Sequence, residues 1–168
     1  MSTHRIVILG GGFGGLMTAL ELERRCGRIG TCGIILVDRS SEHVYTPLLY
    51  EVASGFLQDL GRVCRGELKA GVCVSFEQFR SIIGSRHIRF VRAEVVGVDH
   101  SAKQVLLNGG ENIPYDDLVI ALGAQSNDYG IKGIQQYACP IKTLHEAYRF
   151  RARIHEFLER YRDGVEQK

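Results

Sequence analysis

The sequence of 168 residues has no tryptophan, three prolines and five cysteines, and no two of the cysteines form a Cys-x-x-Cys pair. This odd, irregularly spaced set argues against a disulfide framework or a zinc site and favours free thiols in a reducing compartment. No apolar run approaches the roughly 18 residues that a membrane-spanning helix needs. The first apolar run follows Arg5 directly, which leaves no room for a signal peptide. We therefore expect a cytoplasmic protein.

The chain also lacks a marked excess of charge, since 21 basic and 19 acidic residues give a formal net charge of +2. The two signs are interspersed along the sequence, so we expect no nucleic-acid partner. A hydrophobic content of 45% is ordinary for a soluble globular protein. The length suits a single domain over residues 1–168 with a core of its own.

What the sequence does contain is a glycine-rich turn between an apolar run and a helical pattern. Residues 6–9 are apolar, and Gly10-x-Gly12-x-x-Gly15 follows them. In this fingerprint the first glycine permits a tight turn, the second lets the backbone approach a diphosphate, and the third allows close packing of helix on strand. The free N–H groups and the positive dipole end of the helix would face the phosphates. The pattern predicts a dinucleotide site, with a purely structural turn as the alternative.

A second apolar run, residues 34–37, ends on Asp38. The carboxylate follows Gly15 at about the 20-residue spacing at which the fingerprint places the acid that binds the adenosine ribose. It would also repel a 2′-phosphate, which disfavours NADP. Together the two runs and the intervening helix predict a β-α-β unit with parallel strands and a right-handed crossover.

The rest of the chain alternates between helical and strand patterns. We predict helices over residues 47–53 and 77–83 and a further parallel strand over 88–91. Short strands over 94–99, 104–107 and near Ile113, joined by tight turns, predict an antiparallel β-meander, and residues 117–121 return as an apolar strand. The capping box Thr143-x-x-Glu146 begins a helix that we expect to end at Asp163-Gly164. The fold class is α/β, with a parallel sheet and an inserted meander.

Four segments carry a resemblance to a known family: residues 5–15, 43–55, 93–99 and 115–124. They resemble the type II NADH dehydrogenases, which are single-subunit NADH:quinone oxidoreductases among the pyridine nucleotide-disulfide oxidoreductase-like flavoproteins. The motif Pro47-Leu-Leu-Tyr-x-Val-Ala-x-Gly55 is the most specific of the four for this family, because no general nucleotide-binding turn requires it. The resemblance implies a Rossmann-like, three-layer β/β/α domain whose cofactor is FAD.

The resemblance also implies roles for particular residues. The cofactor-binding set is Gly10, Gly11, Gly12, Phe13, Gly14, Asp38, Arg39, His43, Val95, Ala121 and Gly123. A quinone would lie near the flavin beside Pro47, Leu48 and Leu49. A solvated His43, an exposed Arg39 and leucines packed in the core are the alternatives. No catalytic side chain or metal ligand is predicted, because the chemistry of a flavoenzyme belongs to the cofactor.

A complete member of that family is more than twice as long and carries a second glycine fingerprint for NADH, which these 168 residues do not contain. We therefore expect an FAD-binding part that is incomplete for turnover alone, with NADH as co-substrate only where a second domain is supplied. A separately encoded second half or a homodimer would be the partner. In the full-length context the location would be peripheral, on the inner face of the membrane. A non-catalytic or split dinucleotide-binding module and an NAD-binding dehydrogenase domain remain open as alternatives.

Overall fold

A four-stranded parallel sheet is the centre of the first of two units in the computed structural model, which describes residues 4–26, 32–54, 76–84 and 87–166. The first unit comprises Met1–His43 and Phe76–Ala124, and the second comprises Val44–Ser75 and Gln125–Lys168. In chain order the elements are β1 (His4–Leu9), α1 (Phe13–Arg25), β2 (Cys32–Asp38), β3 (Glu42–Val44), a 3-10 turn (Thr46–Leu48), α2 (Leu49–Ser54), β4 (Phe76–Gln78), α3 (Phe79–Ile83), β5 (Ile88–Arg92), β6 (Val95–Asp99), β7 (Gln104–Leu107), β8 (Ile113–Pro114), β9 (Asp117–Ile120), α4 (Ile134–Tyr137) and α5 (Leu144–Glu166).

The sheet has the strand order β5-β2-β1-β9, and each neighbouring pair is parallel. Its two central strands are continuously apolar over residues 6–9 and 34–37, because successive side chains point to opposite faces and both faces are buried there. One face packs against α1 in a cluster that includes Ile6, Ile8, Ile34, Leu36, Leu16 and Ala19. The other face packs in a cluster with the meander: Val7, Leu9, Ile35, Val37, Val105 and Tyr115. The predicted three-layer α/β fold is confirmed.

The meander forms a separate antiparallel sheet in the order β6-β7-β8. Val98 pairs with Val105, and Val105 pairs with Ile113. All three strands were predicted from their alternating pattern and tight turns. Because Val105 is fully buried, the meander is fixed to the parallel sheet by its own apolar face.

Two predicted helices differ from the observed elements. A strand, β4, occupies residues 76–78, so the helix predicted from Glu77 begins only at Phe79; β4 pairs with β3 in a two-stranded sheet. Strands of three residues are too short to show a period of two, which is why the pattern did not reveal them. The helix predicted from Pro47 begins as a 3-10 turn and becomes α-helical at Leu49.

The second unit contains α2, α4 and α5, and α2 contacts α5. The capping box forms as predicted: the Glu146 N–H donates to Thr143 Oγ1 at 3.3 Å, and the Thr143 N–H donates to Glu146 Oε2 at 2.8 Å. The expected end of this helix was wrong, since α5 continues through Gly164 to Glu166. One glycine costs a helix only about 1 kcal/mol relative to alanine, which does not suffice to end it. Over the described ranges, none of the helices has the length and apolar character to cross a bilayer.

Candidate functional site

The turn between β1 and α1 requires glycine at its first and third fingerprint positions. Gly10 has φ +96°, and a Cβ there would lie 2.4 Å from the backbone oxygen of Ala121. A Cβ on Gly15 would lie 1.8 Å from the backbone oxygen of Gly10. Neither approach is sterically possible, so these two glycines are required by the fold itself, as the fingerprint predicts.

Gly12 has a different environment. It occupies the N-cap of α1 with φ −66° and ψ −172°, a conformation open to any residue. It is exposed, and a Cβ added to it would meet no atom within 4 Å. Neither backbone strain nor packing requires a glycine here. What the missing side chain provides is free space in front of the helix.

The amino end of α1 is electrostatically suited to an anion. No side-chain hydrogen bond caps it, and its first turn contains no acidic residue. The first N–H groups of a helix have no acceptor within the helix, and the helix dipole places partial positive charge at this end. A phosphate or diphosphate is the ligand that such an end binds most readily.

Asp38 lies at the carboxyl end of β2 with its carboxylate directed to the glycine turn. Its Oδ2 accepts a hydrogen bond from the Gly11 N–H at 2.6 Å, and its Oδ1 accepts one from the Ser40 N–H at 2.7 Å. Hydrogen bonds to an ionised acceptor are short and strong. The carboxylate is therefore fixed beside the turn, and the Gly11 N–H serves to hold it there.

His43 supports the same turn from inside the unit. The side chain is 6% exposed, and its Nδ1 donates to the backbone oxygen of Gly11 at 2.9 Å. The ring makes edge contacts with Phe13 at 5.2 Å and with Phe79 at 6.0 Å between centroids. A solvated histidine, one of the alternatives, is thus not what the structure contains. His43 orients Gly11, and its predicted contact with a cofactor stays a prediction.

Phe79 packs against the turn, and the sequence did not identify it as part of this site. A Cβ on Gly11 would lie 2.2 Å from Cζ of Phe79, so the ring occupies the space that a side chain would need. The ring also stacks on Phe90 with a centroid distance of 4.7 Å. Phe79 stands where the short strand β4 gives way to α3, and no periodic pattern marked it there.

The other residues that were predicted to bind the cofactor differ in their position relative to this turn and in their exposure. The Ala121 N–H donates to the backbone oxygen of Leu9 at 2.8 Å, which places the chain after β9 beside Gly10. Gly123 is exposed with φ +77°. Val95 begins β6, two residues after Ala93, whose N–H donates to the backbone oxygen of Asp38 at 2.9 Å. Arg39 is exposed.

The predicted quinone-site residues lie in the second unit. Pro47 is exposed within the 3-10 turn, Leu48 is half-buried, and Leu49 is 2% exposed at the start of α2. Core packing therefore accounts for Leu49, while the expected role of the three residues stays a prediction. Among the described residues no group of three histidine, cysteine or acidic side chains could hold a metal ion.

The chain is similar to a known family and to several characterised proteins. Residues 4–160 match the family model described as pyridine nucleotide-disulphide oxidoreductase. The chain is 33% identical over 164 residues to the type II NADH:quinone oxidoreductase of Haemophilus influenzae, a match that covers 95% of this chain and 35% of that protein. It is 35% identical over 176 residues to the alternative NAD(P)H-ubiquinone oxidoreductase C1 of Arabidopsis thaliana, covering 95% of this chain and 31% of that one. The structure of NDH2 from Plasmodium falciparum in complex with NADH superposes with a TM-score of 0.73 at 24% identity, over 95% of this chain and 30% of the other. The chain thus spans about a third of the length of these proteins.

Proposed function

Because this chain belongs to the pyridine nucleotide-disulphide oxidoreductase family, we propose that it is the FAD-binding part of an NADH:quinone oxidoreductase-like flavoprotein. The observation that carries the proposal is Gly12, a glycine that the fold does not need and that leaves the amino end of α1 open. The relatives named as NADH:quinone and NAD(P)H-ubiquinone oxidoreductases support the choice of a redox dinucleotide over another phosphate ligand.

Each residue of the turn has a defined task in this proposal. Backbone N–H groups at the start of α1 bind the diphosphate, and the space in front of Gly12 admits it. Asp38, held by the Gly11 and Ser40 N–H groups, keeps lone pairs on both oxygens to accept hydrogen bonds from ribose hydroxyls. His43 and Phe79 hold Gly11 in place. The chemistry that FAD supplies when bound is acceptance of hydride from NADH and delivery of electrons to a quinone.

The roles of NADH and of a quinone follow from the names of the relatives, and both are part of the proposal. We place the quinone beside Pro47, Leu48 and Leu49 and expect NADH to need a second domain, contributed by a longer chain, a separate polypeptide or a second copy. Peripheral attachment to the inner face of a membrane belongs to the same full-length context.

The absorbance spectrum of the purified 168-residue protein tests the proposal, together with chromatography of the nucleotide released on denaturation. We expect the two visible absorption bands of an oxidised flavin and release of FAD, either as purified or after reconstitution. Release of NAD without a flavin spectrum would instead support the dehydrogenase-domain alternative. FAD binding without oxidation of NADH in the presence of a soluble quinone is the result expected of a part that needs a second domain.

A further inference from the structure

A cleft lies between the parallel sheet and the meander, with all of its lining in the first unit. Its volume is about 540 Å³, within the range of about 300–1,000 Å³ that is typical of small-molecule sites. Strands β1, β2 and β5 contribute to its lining, and so does the segment from the end of β7 through β8. Basic and apolar residues adjoin each other there, so the cleft offers a ligand both charge and apolar surface.

Two arginines of the lining, Arg5 and Arg89, lie on the sheet face that the meander covers. Arg5 stands two residues before Val7 on β1, and Arg89 is the register partner of Ile35. Residues two apart in a strand, and register partners in a parallel pair, place their side chains on the same face. Val7 and Ile35 belong to the core cluster on the meander side. With β2 between them, the Cα atoms of Arg5 and Arg89 are about 12 Å apart, a gap that two arginine side chains can bridge from its two ends.

The guanidinium groups of Arg5 and Arg89 are available to a ligand. Across the part of the chain that the structure describes, neither group makes a hydrogen bond or an ion pair. Asp116 interacts electrostatically with Arg5, but its carboxylate accepts from the Arg5 backbone N–H at 2.7 Å and does not line the cleft. Both arginines are exposed, so a ligand reaches them from solvent.

The lining as a whole is positively charged. Arg92 is its third arginine, and the Nε of Arg92 donates to the backbone oxygen of Arg39 at 3.3 Å, a bond that leaves the positive charge unneutralised. Glu111 supplies the carboxylate of the lining, so the three guanidinium groups exceed the acidic groups by two charges. This excess favours an anion with more than one negative charge.

We propose that this cleft binds an amphiphilic phosphate monoester, a ligand in which an apolar chain or ring carries a phosphate group. Arg5 and Arg89 bind the phosphate, because a planar guanidinium group donates two parallel hydrogen bonds to phosphate oxygens. The apolar part lies against Ile35, Leu107 and Ile113. Like a phosphorylated side chain, such a ligand carries a charge of about −1.5 to −2 at neutral pH, which matches the excess on the lining. The cleft contains none of the residues assigned to FAD, and the inference does not depend on FAD binding.

Titration of the isotope-labelled 168-residue protein with octyl phosphate tests the site, followed by proton–nitrogen correlation spectra and kept below the concentration at which the probe forms micelles. We expect saturable shifts of the backbone amide signals of Ile35, Arg89 and Ile113, with the signals of Gly11 and Gly12 unchanged. Inorganic phosphate lacks the apolar part and octanol lacks the charge. Each should therefore bind about tenfold more weakly than octyl phosphate.

Arg5→Gln and Arg89→Gln each remove one charged donor, and each should lower the affinity for octyl phosphate about tenfold. Arg162→Gln is the matched control, because Arg162 is an exposed arginine of α5 in the second unit, and this variant should keep the wild-type affinity. The spectra also report whether a variant is folded, and the two arginines on separate strands give two independent tests.

Three results would overturn the proposal: no saturable shifts at the cleft, shifts confined to the glycine turn, or wild-type affinity in both cleft variants. Equal affinities for inorganic phosphate and octyl phosphate would identify a site for free phosphate and overturn the assignment to an amphiphilic ligand. An equal affinity for octanol would show apolar binding alone and would overturn the role of the arginines.

Discussion

At the scale of single residues, the glycines of the turn after β1 divide into two groups. Gly10, Gly11 and Gly15 are required by their surroundings, since a Cβ on each would lie within 2.4 Å of a neighbouring atom. Gly12 has open space around it, and Gly14 has only the Ala121 Cβ at 3.9 Å. Substitutions in the two groups should therefore have separable effects, on stability in the first and on ligand binding in the second.

We predict that Gly15→Ala lowers the free energy of unfolding by about 3 kcal/mol, because its methyl group meets backbone that cannot move without disturbing the turn. Urea denaturation followed by circular dichroism measures the change. Gly110→Ala is the control, since its added methyl group would lie 3.7 Å from Leu107 Cβ, an ordinary contact. Equal denaturation midpoints for the two variants would contradict this account of the turn.

Asp38 gives a second prediction at this scale. Its two oxygens accept from two different N–H groups, those of Gly11 and Ser40. Asp38→Asn supplies one acceptor oxygen and turns an NH₂ group toward the other N–H, so we expect a loss of about 1–3 kcal/mol in the free energy of unfolding.

Asp99→Asn is a matched comparison, because Ser101 and Ala102 both donate to the same oxygen of Asp99, which asparagine retains. We expect a clearly smaller loss there in the same unfolding measurement. Equal losses at the two positions would show that the second oxygen of Asp38 contributes nothing to the turn.

The fingerprint sufficed to predict a tight glycine turn with Asp38 at the end of the next strand, because it fixes the spacing of these residues. That they bind a cofactor stays a prediction. The fingerprint did not predict Phe79 or the bond from His43 to Gly11. Those contacts join residues 11, 43 and 79 across the chain, and no local pattern encodes which aromatic ring will fill the space beside a glycine. The resemblance inferred from four segments is confirmed by the family match over residues 4–160.

At the scale of secondary structure, the capping box of α5 has a pH dependence that can be measured. The Lys142 N–H, and after it the Thr143 N–H, donate to Glu146 and hold the pKa of its carboxyl below the ordinary value of 4.5. The ionised form is favoured in the folded state. Its stabilisation is therefore fully present above about pH 4.5 and is lost as the pH falls through the lowered pKa.

We predict that the wild-type protein loses stability relative to Glu146→Gln as the pH is lowered below 4.5, because the glutamine does not titrate and can still accept a hydrogen bond at the cap. Denaturation midpoints of both proteins, measured across that range, give the comparison. A constant difference between them at all pH values would refute the assigned role of the carboxylate.

The long strands and helices with clear apolar patterns were predictable from the sequence, and the short strands were not. β1, β2 and α1 have apolar patterns that only a buried parallel strand or a packed helix explains, and the alternation in β6 and β7 marked the meander. β3 and β4, with three residues each, depend on pairing with each other rather than on any preference of their own. The end of α5 was misplaced because one glycine costs a helix only about 1 kcal/mol relative to alanine, which does not suffice to end it.

At the scale of the whole molecule, the residues assigned to FAD all fall in the first unit, while Pro47, Leu48 and Leu49 fall in the second. The first unit thus contains the complete set of residues that are predicted to bind the cofactor. We therefore expect FAD binding to depend on the parallel sheet and its glycine turn. Oxidation of NADH by a quinone is the activity that the names of the longer relatives from Haemophilus influenzae and Arabidopsis thaliana state for those proteins.

Equilibrium titration of the cofactor-free protein with FAD, followed by flavin fluorescence, tests the central claim most directly when Gly12→Ala is titrated in parallel. The added methyl group has space in the fold but occupies the position assigned to the diphosphate. We predict saturable binding by the wild-type protein and Gly110→Ala, and an affinity about tenfold weaker for Gly12→Ala. The unfolding midpoint of Gly12→Ala should fall far less than that of Gly15→Ala, by no more than the loss of an N-cap preference. Wild-type affinity in Gly12→Ala, or no binding by the wild-type protein, would contradict the account.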